Sequence, residues 1–196
     1  MSTDHIKKAT DNRFEIRLSG SGGQGLILAG VILAQAIGVG DGKNAVQTQS
    51  YGPEARGGAS RADVVVSPDQ IFYPKTMKLD LLLALTQEAC DKYYPDMKED
   101  GLLIVDSTLV TQIPTKRYYG FPFVRLAREE IGNAMVANVI ALGAITELTG
   151  IVSKESIKNA VLSRAPRGTE EKNQKALELG FKIAKAAKSS VAQKTR

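Results

Sequence analysis

The sequence predicts an α/β fold: a single three-layer domain with a mainly parallel sheet and helices on both faces. Three observations predict it. Strand-like and helix-like segments alternate along the chain, a Rossmann-like glycine loop follows the first strand, and no repeat or low-complexity linker divides the 196 residues. Such alternation favours parallel strands, because each helix carries the chain back across the sheet. We expect a polar arm over residues 1–13, the domain over residues 14–188 and a basic tail over residues 189–196.

The strands are predicted from short apolar or alternating segments. Phe14–Leu18 alternates apolar and polar residues, whereas Leu79–Leu85 is almost entirely apolar, as expected for a central strand covered on both faces. The other predicted strands, in chain order, are Ala45–Ser50, Arg61–Ser67, Gly101–Asp106 and Tyr119–Phe123.

The helices are predicted from longer apolar or amphipathic segments. Leu26–Ile37 is apolar and ends in a glycine-rich turn, and Ser153 is a candidate N-cap for Lys154–Ser163. The remaining helical predictions are a helix from Thr86 or Gln87 to about Pro95, a turn at Leu126–Ile131, Asn133–Thr149 capped by Gly150, and Glu170–Ser189.

The positive charge of the chain is concentrated near its C-terminus. The sequence has 26 basic and 21 acidic residues, a formal charge of +5, and the segment from Lys182 to Arg196 contains basic residues but no acid. The body of the chain is therefore close to neutral, whereas phosphate-backbone binding usually needs a clustered basic face. We expect a solvated tail and no nucleic-acid partner.

The sequence lacks the parts that several other classes of protein need. No apolar run is long enough to span a bilayer, and residues 1–13 have no apolar core of a secretory signal. With Cys90 as the single cysteine and His5 as the single histidine, the parts of a disulfide, an iron–sulfur cluster or a zinc site are missing. We expect a cytoplasmic protein with no membrane contact, no metal site and no catalytic residue.

The glycine loop is the first candidate binding site. Its residues, which match G-x-G-x-x-G between a strand and a helix, are Gly20, Ser21, Gly22, Gly23, Gln24 and Gly25. Such a loop can present backbone N–H groups to an anion at a helix N-terminus. The second strand does not end in the acid of a dinucleotide site, and Gly25 is not followed by the lysine of a P-loop. Binding of another phosphate-bearing ligand and tight backbone packing both remain open.

A second candidate is the loop that follows the second predicted strand. Its residues are Tyr51, Gly52, Pro53, Glu54, Ala55, Arg56, Gly57 and Gly58. Three glycines and a proline constrain the backbone, and binding sites gather at the carboxyl ends of strands in α/β sheets. We predict a loop that faces a partner or an active site. An ordinary surface loop with a local ion pair is the alternative.

Two residues in predicted helices carry further expectations. Asn138 lies in an apolar helical segment, where it must satisfy its amide, so we expect it to cap a neighbouring loop rather than to contact a ligand. We expect Cys90 to be a buried apolar residue rather than a reactive thiol.

From about Phe14 to Lys182 the sequence strongly resembles the gamma subunit of 2-oxoacid:ferredoxin oxidoreductases. The resemblance is carried by both loops at their observed spacing and by Ala62-Asp63-Val64, Ser67, Asp80, Ala137-Asn138, Ala141-Leu142-Gly143, Asn173 and Gly180. It implies a non-redox subunit of a complex that oxidatively decarboxylates a 2-oxoacid to an acyl-coenzyme A and reduces ferredoxin. Overall similarity leans towards 2-oxoglutarate, with pyruvate and branched 2-oxoacids as the other substrates of the family.

The resemblance also implies where the cofactors lie. Thiamine diphosphate would be bound by alpha and beta subunits, and iron–sulfur clusters by partners that include a ferredoxin-like delta subunit. This chain would bind none alone, would pack against the thiamine-binding subunits and would contribute to the site of the co-substrate coenzyme A. The isolated chain could form a homodimer. A different class of function is the alternative: a stand-alone nucleotide- or coenzyme A-binding regulatory or carrier protein.

Overall fold

The computed structural model describes residues 12–50 and 59–194. Within them lies one six-stranded sheet of order β2-β3-β1-β4-β5-β6. The strands are β1 Phe14–Ser21, β2 Asn44–Ser50, β3 Ala59–Ser67, β4 Leu79–Ala84, β5 Met97–Asp106 and β6 Tyr118–Phe121. Every predicted strand is present, with ends that differ by up to four residues.

The sheet is parallel except at one strand. β1 pairs in parallel with β4, β4 with β5, and β5 with β6, whereas β3 runs antiparallel to both of its neighbours, β1 and β2. Eight residues separate β2 from β3, fewer than the dozen or so that a parallel crossover needs, so the chain returns beside β2 in the opposite direction. The prediction of a mainly parallel sheet is confirmed.

Six α-helices accompany the sheet in the described residues. They are α1 Leu26–Gln35, α2 Gln87–Tyr93, α3 Phe123–Glu129, α4 Ala137–Thr149, α5 Lys154–Arg164 and α6 Glu170–Lys194. α1 continues into a π-helical turn, Ala36–Gly40, and a 3₁₀ turn, Ala134–Val136, precedes α4. No helix in these residues has both the length and the apolar character needed to cross a bilayer.

Several helix boundaries differ from the sequence prediction, by up to five residues, and the start of the Asn133–Thr149 helix, which lies at Ala137, is among them. α3 begins at Phe123 rather than Leu126, because the backbone N–H of Val124 donates to the Asp106 carboxylate and is satisfied in the first turn. α6 continues to Lys194 instead of stopping at Ser189, since the last residues contain neither glycine nor proline to end the helix. The boundaries predicted for the arm, domain and tail stay a prediction.

The first face of the sheet carries most of the helices. Ile16 and Leu18 point to this face and belong to an apolar cluster with residues of α1, α3, α4, α5 and α6. α4 and α6 approach backbone to backbone: a Cβ atom added to Gly180 would lie 2.1 Å from the carbonyl oxygen of Ile140 and 2.9 Å from the Cα of Gly143. Only glycine fits this helix crossing.

The second face carries α2 and a buried charged network. α2 contributes Cys90 and Tyr93 to a smaller apolar cluster, so helices lie on both faces as predicted. Arg17 on β1 is 4% exposed and donates from Nε to Asp63 at 2.7 Å and from Nη1 to Asp96 at 2.6 Å. Burial would lower the pKa of Arg17, but the hydrogen bonds and charges of Asp63 and Asp96 outweigh it and raise this pKa.

The same face holds the segment that precedes β4. Glu15 is buried, and its Oε2 accepts from the backbone N–H groups of Met77 at 2.5 Å and Lys78 at 3.0 Å. Arg13 donates to Glu15 at 2.6 Å and to the carbonyl oxygen of Tyr73 at 2.8 Å. Glu15 on β1 and Arg13 just before it thus bind the segment that precedes β4 to the sheet.

Candidate functional site

The glycine loop is closed by one of its own side chains. Gly20 and Ser21 are the last residues of β1, and the Oε1 of Gln24 accepts a hydrogen bond from the backbone N–H of Ser21 at 2.8 Å. A Cβ atom on Gly20 would lie 2.2 Å from this Oε1. Glycine at position 20 therefore makes room for the Gln24 side chain to fold back across the loop.

The other end of the loop is fastened to α4. Gly25, with φ of 68°, is the N-cap of α1, and its carbonyl oxygen accepts from the Nδ2 of Asn138 at 3.0 Å. A Cβ atom on Gly25 would lie 2.6 Å from that Nδ2. The prediction that Asn138 caps a neighbouring loop is confirmed. Its Oδ1 is buried and has no hydrogen-bond partner among the described residues.

Asp106 organises the opposite side of the same sheet edge. It ends β5 and is fully buried, with one carboxylate oxygen accepting from the backbone N–H and the hydroxyl of Thr108. The other oxygen accepts from the backbone N–H of Val124 at 2.8 Å. This carboxylate therefore holds the turn after β5 and the first turn of α3 in one arrangement. The sequence reasoning did not single it out, although an acid that ends an apolar strand is a usable signal.

A groove of about 550 Å³ lies between these parts, and we call it the carboxyl-edge groove. Gly23 and Gln24 form one wall, and Thr108, Leu109 and the α3 residues Val124, Arg125, Arg128 and Glu129 form the other, with Ala134, Met135 and Ala137 completing it. Leu109 and Met135 are 42% and 61% exposed. The groove thus combines exposed apolar surface with two arginines, of which Arg125 lies 4.0 Å from Glu129.

The position of the groove follows from the order of the strands. α1, which follows β1, packs on the first face, and α2, which follows β4, packs on the second. The chain therefore departs in opposite directions from the adjacent parallel strands β1 and β4, where open α/β sheets bind ligands, and the groove lies beside this point, between the segments that follow β1 and β5. Of the predicted loop residues, the structure brings Gly23 and Gln24 to this groove.

The second predicted loop, Tyr51–Gly58, lies outside the described residues. Its flanking strands are described: β2 ends at Ser50, and β3 begins at Ala59, which pairs with Ser21. The hydroxyl of Tyr93 donates to the carbonyl oxygen of Ala59 at 3.3 Å, and Ser19 donates to that of Ser60 at 2.9 Å. The chain therefore re-enters the sheet directly beside the glycine loop.

Neither the Cys90 thiol nor the acidic side chains of the described residues form a reactive or metal-binding site. Cys90 is fully buried, and burial, with the nearby charge of Asp91, raises the pKa of its thiol to about 11. The thiol stays protonated at neutral pH, which confirms the prediction of an apolar role. Within residues 12–50 and 59–194, no group of three or more His, Cys, Asp or Glu side chains could hold a metal ion.

The fold is that of an α/β domain with an open groove at the carboxyl edge of its sheet. The chain belongs to the pyruvate ferredoxin/flavodoxin oxidoreductase family, whose model matches residues 15–183. It is 54% identical to the 2-oxoglutarate synthase subunit KorC of Methanocaldococcus jannaschii over 91% of this chain and 98% of that protein. The corresponding KorC of Archaeoglobus fulgidus is 46% identical over 86% of each chain.

A solved structure leads to the same family. The gamma subunit of keto/oxoacid ferredoxin oxidoreductase from Geobacter sulfurreducens superposes with a TM-score of 0.83 at 53% identity, covering 90% of this chain and 98% of that one. The predicted resemblance to a gamma subunit is confirmed. The chain is a subunit of a multi-subunit oxidoreductase complex of the 2-oxoacid:ferredoxin type.

Proposed function

We propose that the chain is the gamma subunit of a 2-oxoglutarate:ferredoxin oxidoreductase, which converts 2-oxoglutarate and coenzyme A to the acyl-coenzyme A and carbon dioxide while reducing ferredoxin. The observation that carries the choice of substrate is the 54% identity over nearly the full length of a 2-oxoglutarate synthase subunit. Relatives named for ketoisovalerate and pyruvate are 34% and 27% identical. A stand-alone carrier protein is not favoured, because the relative matched at 54% identity over nearly its full length is an enzyme subunit.

The redox cofactors belong to partners in this proposal. Thiamine diphosphate is assigned to alpha and beta subunits and the iron–sulfur clusters to a ferredoxin-like delta subunit. The single, buried Cys90 supports this assignment, since cluster ligation needs several thiolates. The cytoplasmic location and the absence of activity in the isolated chain stay predictions.

The carboxyl-edge groove is the proposed contribution to the coenzyme A site. Coenzyme A combines a long pantetheine arm, which carries apolar groups and two amides, with several phosphates. The exposed apolar surface of Leu109 and Met135 suits the arm, and the cations of Arg125 and Arg128 suit the phosphates. The glycine loop, Gly20–Gly25, reaches this groove through Gly23 and Gln24 and is the proposed cofactor-facing loop.

The loop Tyr51–Gly58 is proposed to face the thiamine-binding subunits. The support is the position of its flanking residues, Ser50 and Ala59, at the same sheet edge as the glycine loop. Arg56→Ala should then spare the fold of the free chain but weaken assembly or acyl-coenzyme A formation. Reconstitution with partner subunits, with thermal melts of each free variant as control, tests this. Parent-like assembly and turnover by Arg56→Ala would reduce the loop to a surface turn.

Co-purification tests the proposed function as a whole. The chain, tagged and expressed in its native source, should bring down two thiamine-binding subunits and a cysteine-rich partner. This complex should reduce a viologen dye with 2-oxoglutarate faster than with pyruvate or 2-oxoisovalerate, and the isolated chain should give no reduction. Turnover by the isolated chain would contradict the subunit role, and a preference for another 2-oxoacid would contradict the substrate.

A further inference from the structure

We propose that the carboxamide of Gln24, in place of the Ser21 backbone N–H that it occupies, donates a hydrogen bond from the glycine loop to the bound ligand. The ligand is rich in oxygen acceptors and negatively charged, and Arg125 and Arg128 bind it from the opposite wall of the carboxyl-edge groove. This inference rests on the proposed function, because it assigns contacts to the coenzyme A bound in that groove.

The first step concerns the backbone N–H groups of the loop. In a dinucleotide-binding loop these groups face the phosphate at the helix N-terminus. Here the N–H of Ser21 already donates to the Oε1 of Gln24 at 2.8 Å, and the side chain lies against the Cα of Gly20. The carboxamide oxygen thus takes a donor that a phosphate oxygen would otherwise use.

The second step concerns the orientation of the amide. Because Oε1 accepts from Ser21, the Nε2 of Gln24 is the end that remains, and it carries two N–H donors. No acceptor among the described residues bonds this Nε2, and Gln24 lines the groove. The hydrogen bond from Ser21 therefore orients the amide so that its Nε2 can donate to an oxygen atom of the ligand.

The third step concerns the charge of the facing wall. Arg125 and Arg128 are exposed on α3, which Asp106 holds in place through the backbone N–H of Val124. Glu129 is the acid that lines the groove, so the two arginines leave a net positive charge there. Two cations opposite an amide donor select a ligand with anionic and carbonyl oxygens, such as the phosphates and amides of coenzyme A.

Two substitutions at position 24 separate a side-chain contact from a backbone contact. Gln24→Glu keeps the oxygen that accepts from Ser21, so the loop stays closed, but it removes the Nε2 donors and adds a negative charge. Gln24→Ala frees the Ser21 N–H from its side-chain acceptor. If the backbone binds a phosphate, Gln24→Ala leaves binding unchanged or tightens it; if the side chain binds, both variants weaken it.

The experiment measures the dissociation constant of coenzyme A for the assembled complex by calorimetry. We expect Gln24→Glu and Gln24→Ala each to weaken binding about tenfold or more, as the loss of a hydrogen bond to a charged ligand does. Gln70→Glu is the matched control, because it makes the same charge change on an exposed residue outside the groove and should bind like the parent.

The outcomes distinguish this inference from the function on which it rests. A parent complex that assembles and binds coenzyme A, with a Gln24→Glu variant whose affinity stays within about twofold, overturns the role of Gln24 alone. A parent complex that does not bind coenzyme A overturns the proposed function. Should Gln24→Ala melt early, Gln24→Met replaces it, since it also lacks the Nε2 donors, fills a similar volume and adds no charge that would itself repel the ligand.

Discussion

The two faces of β1 are both buried, but different interactions stabilise them. On the first face Ile16 and Leu18 pack among apolar side chains of five helices. On the second face Glu15 and Arg17 are buried almost as completely as Ile16 and Leu18. Glu15 accepts hydrogen bonds from backbone N–H groups, and Arg17 donates to carboxylates and to a hydroxyl. A substitution on the apolar face should destabilise the protein in proportion to the buried apolar surface that it removes. In the charged network, removal of one partner leaves another charge buried without a counter-charge, which costs more.

The comparison predicts the largest effect at Arg17. Arg17→Met should lower the free energy of unfolding by about 3–5 kcal/mol, because it leaves Asp63 buried without its bidentate partner. Denaturant titration measures this change. Lys175→Met, which removes an exposed pair with Glu171, is the control and should leave the free energy of unfolding essentially unchanged.

The double variant Arg17→Met with Asp63→Leu sharpens this prediction. Removing both charges should restore part of the lost stability, because no buried carboxylate remains without its arginine. A single variant as mild as Lys175→Met would show that the second face does not depend on its charges.

The next largest effect is expected on the first face, at the crossing of α4 and α6. Gly180→Ala should lower the free energy of unfolding by about 1–3 kcal/mol, because its methyl group would meet the carbonyl oxygen of Ile140 and push the helices apart. Gly38→Ala is the control, since its Cβ would meet no atom nearer than 3.7 Å. Thermal and denaturant unfolding would refute the close crossing if both variants behaved alike.

A smaller effect is expected at Asp41, whose carboxylate connects the turn after α1 to the N-terminus of α5. Burial would raise the pKa of Asp41, but hydrogen bonds from Ser156 and Ser153 and the charge of Lys43 outweigh it and lower this pKa. Asp41→Asn should cost about 1 kcal/mol at neutral pH, because it weakens the contacts with the backbone and hydroxyl of Ser153 at 2.8 and 2.7 Å.

The pH dependence of this variant follows from the lowered pKa. A carboxyl group with a lowered pKa stabilises the fold fully above its ordinary value of about 4 and loses that contribution as the pH falls through the lowered value. The gap in unfolding free energy between parent and Asp41→Asn should therefore be constant near neutrality and shrink below about pH 4. Urea titrations across this range test the sign, and a gap that widens in acid would contradict it.

The smallest effect is expected at the end of α6. Deletion of residues 189–196 should shift the melting temperature by no more than a few degrees, because Lys188, whose Nζ donates to the carbonyl oxygen of Glu147 at 2.5 Å, is retained. The same deletion combined with Lys188→Ala should melt earlier. A loss of soluble expression on deleting 189–196 alone would show that the last turns are docked.

Local patterns were sufficient to predict the elements of this fold. Apolar runs and alternation located every strand, and Ser153 does accept from the backbone N–H of Ser156 at the start of α5. Asn138 could be assigned to loop capping because a buried amide in an apolar helix needs a partner.

The charged network and the groove could not be predicted in the same way. Arg17 and Asp63 are separated by 46 residues, and nothing in the alternation of β1 indicates that its polar side is buried. Arg125 and Arg128 acquire their place opposite Gln24 only when β5 lies two strands from β1. Ionic partners and groove walls depend on which strands are neighbours in the sheet, and hydrophobic periodicity contains no information about that order.

The central position of β1 also constrains how the chain folds during synthesis. β1 is translated before all the other strands of the described sheet, yet it pairs with β3 and β4 and not with β2. Pairing between strands that are distant in sequence is slow, because long loops must close before contacts form. One edge of β1 has no partner until β3, which ends at Ser67, has been translated, and the other edge has none until translation has reached Ala84. A nascent chain shorter than this carries an open strand edge, which is a template for aggregation, and it is the arrival of β4 that ends this exposure.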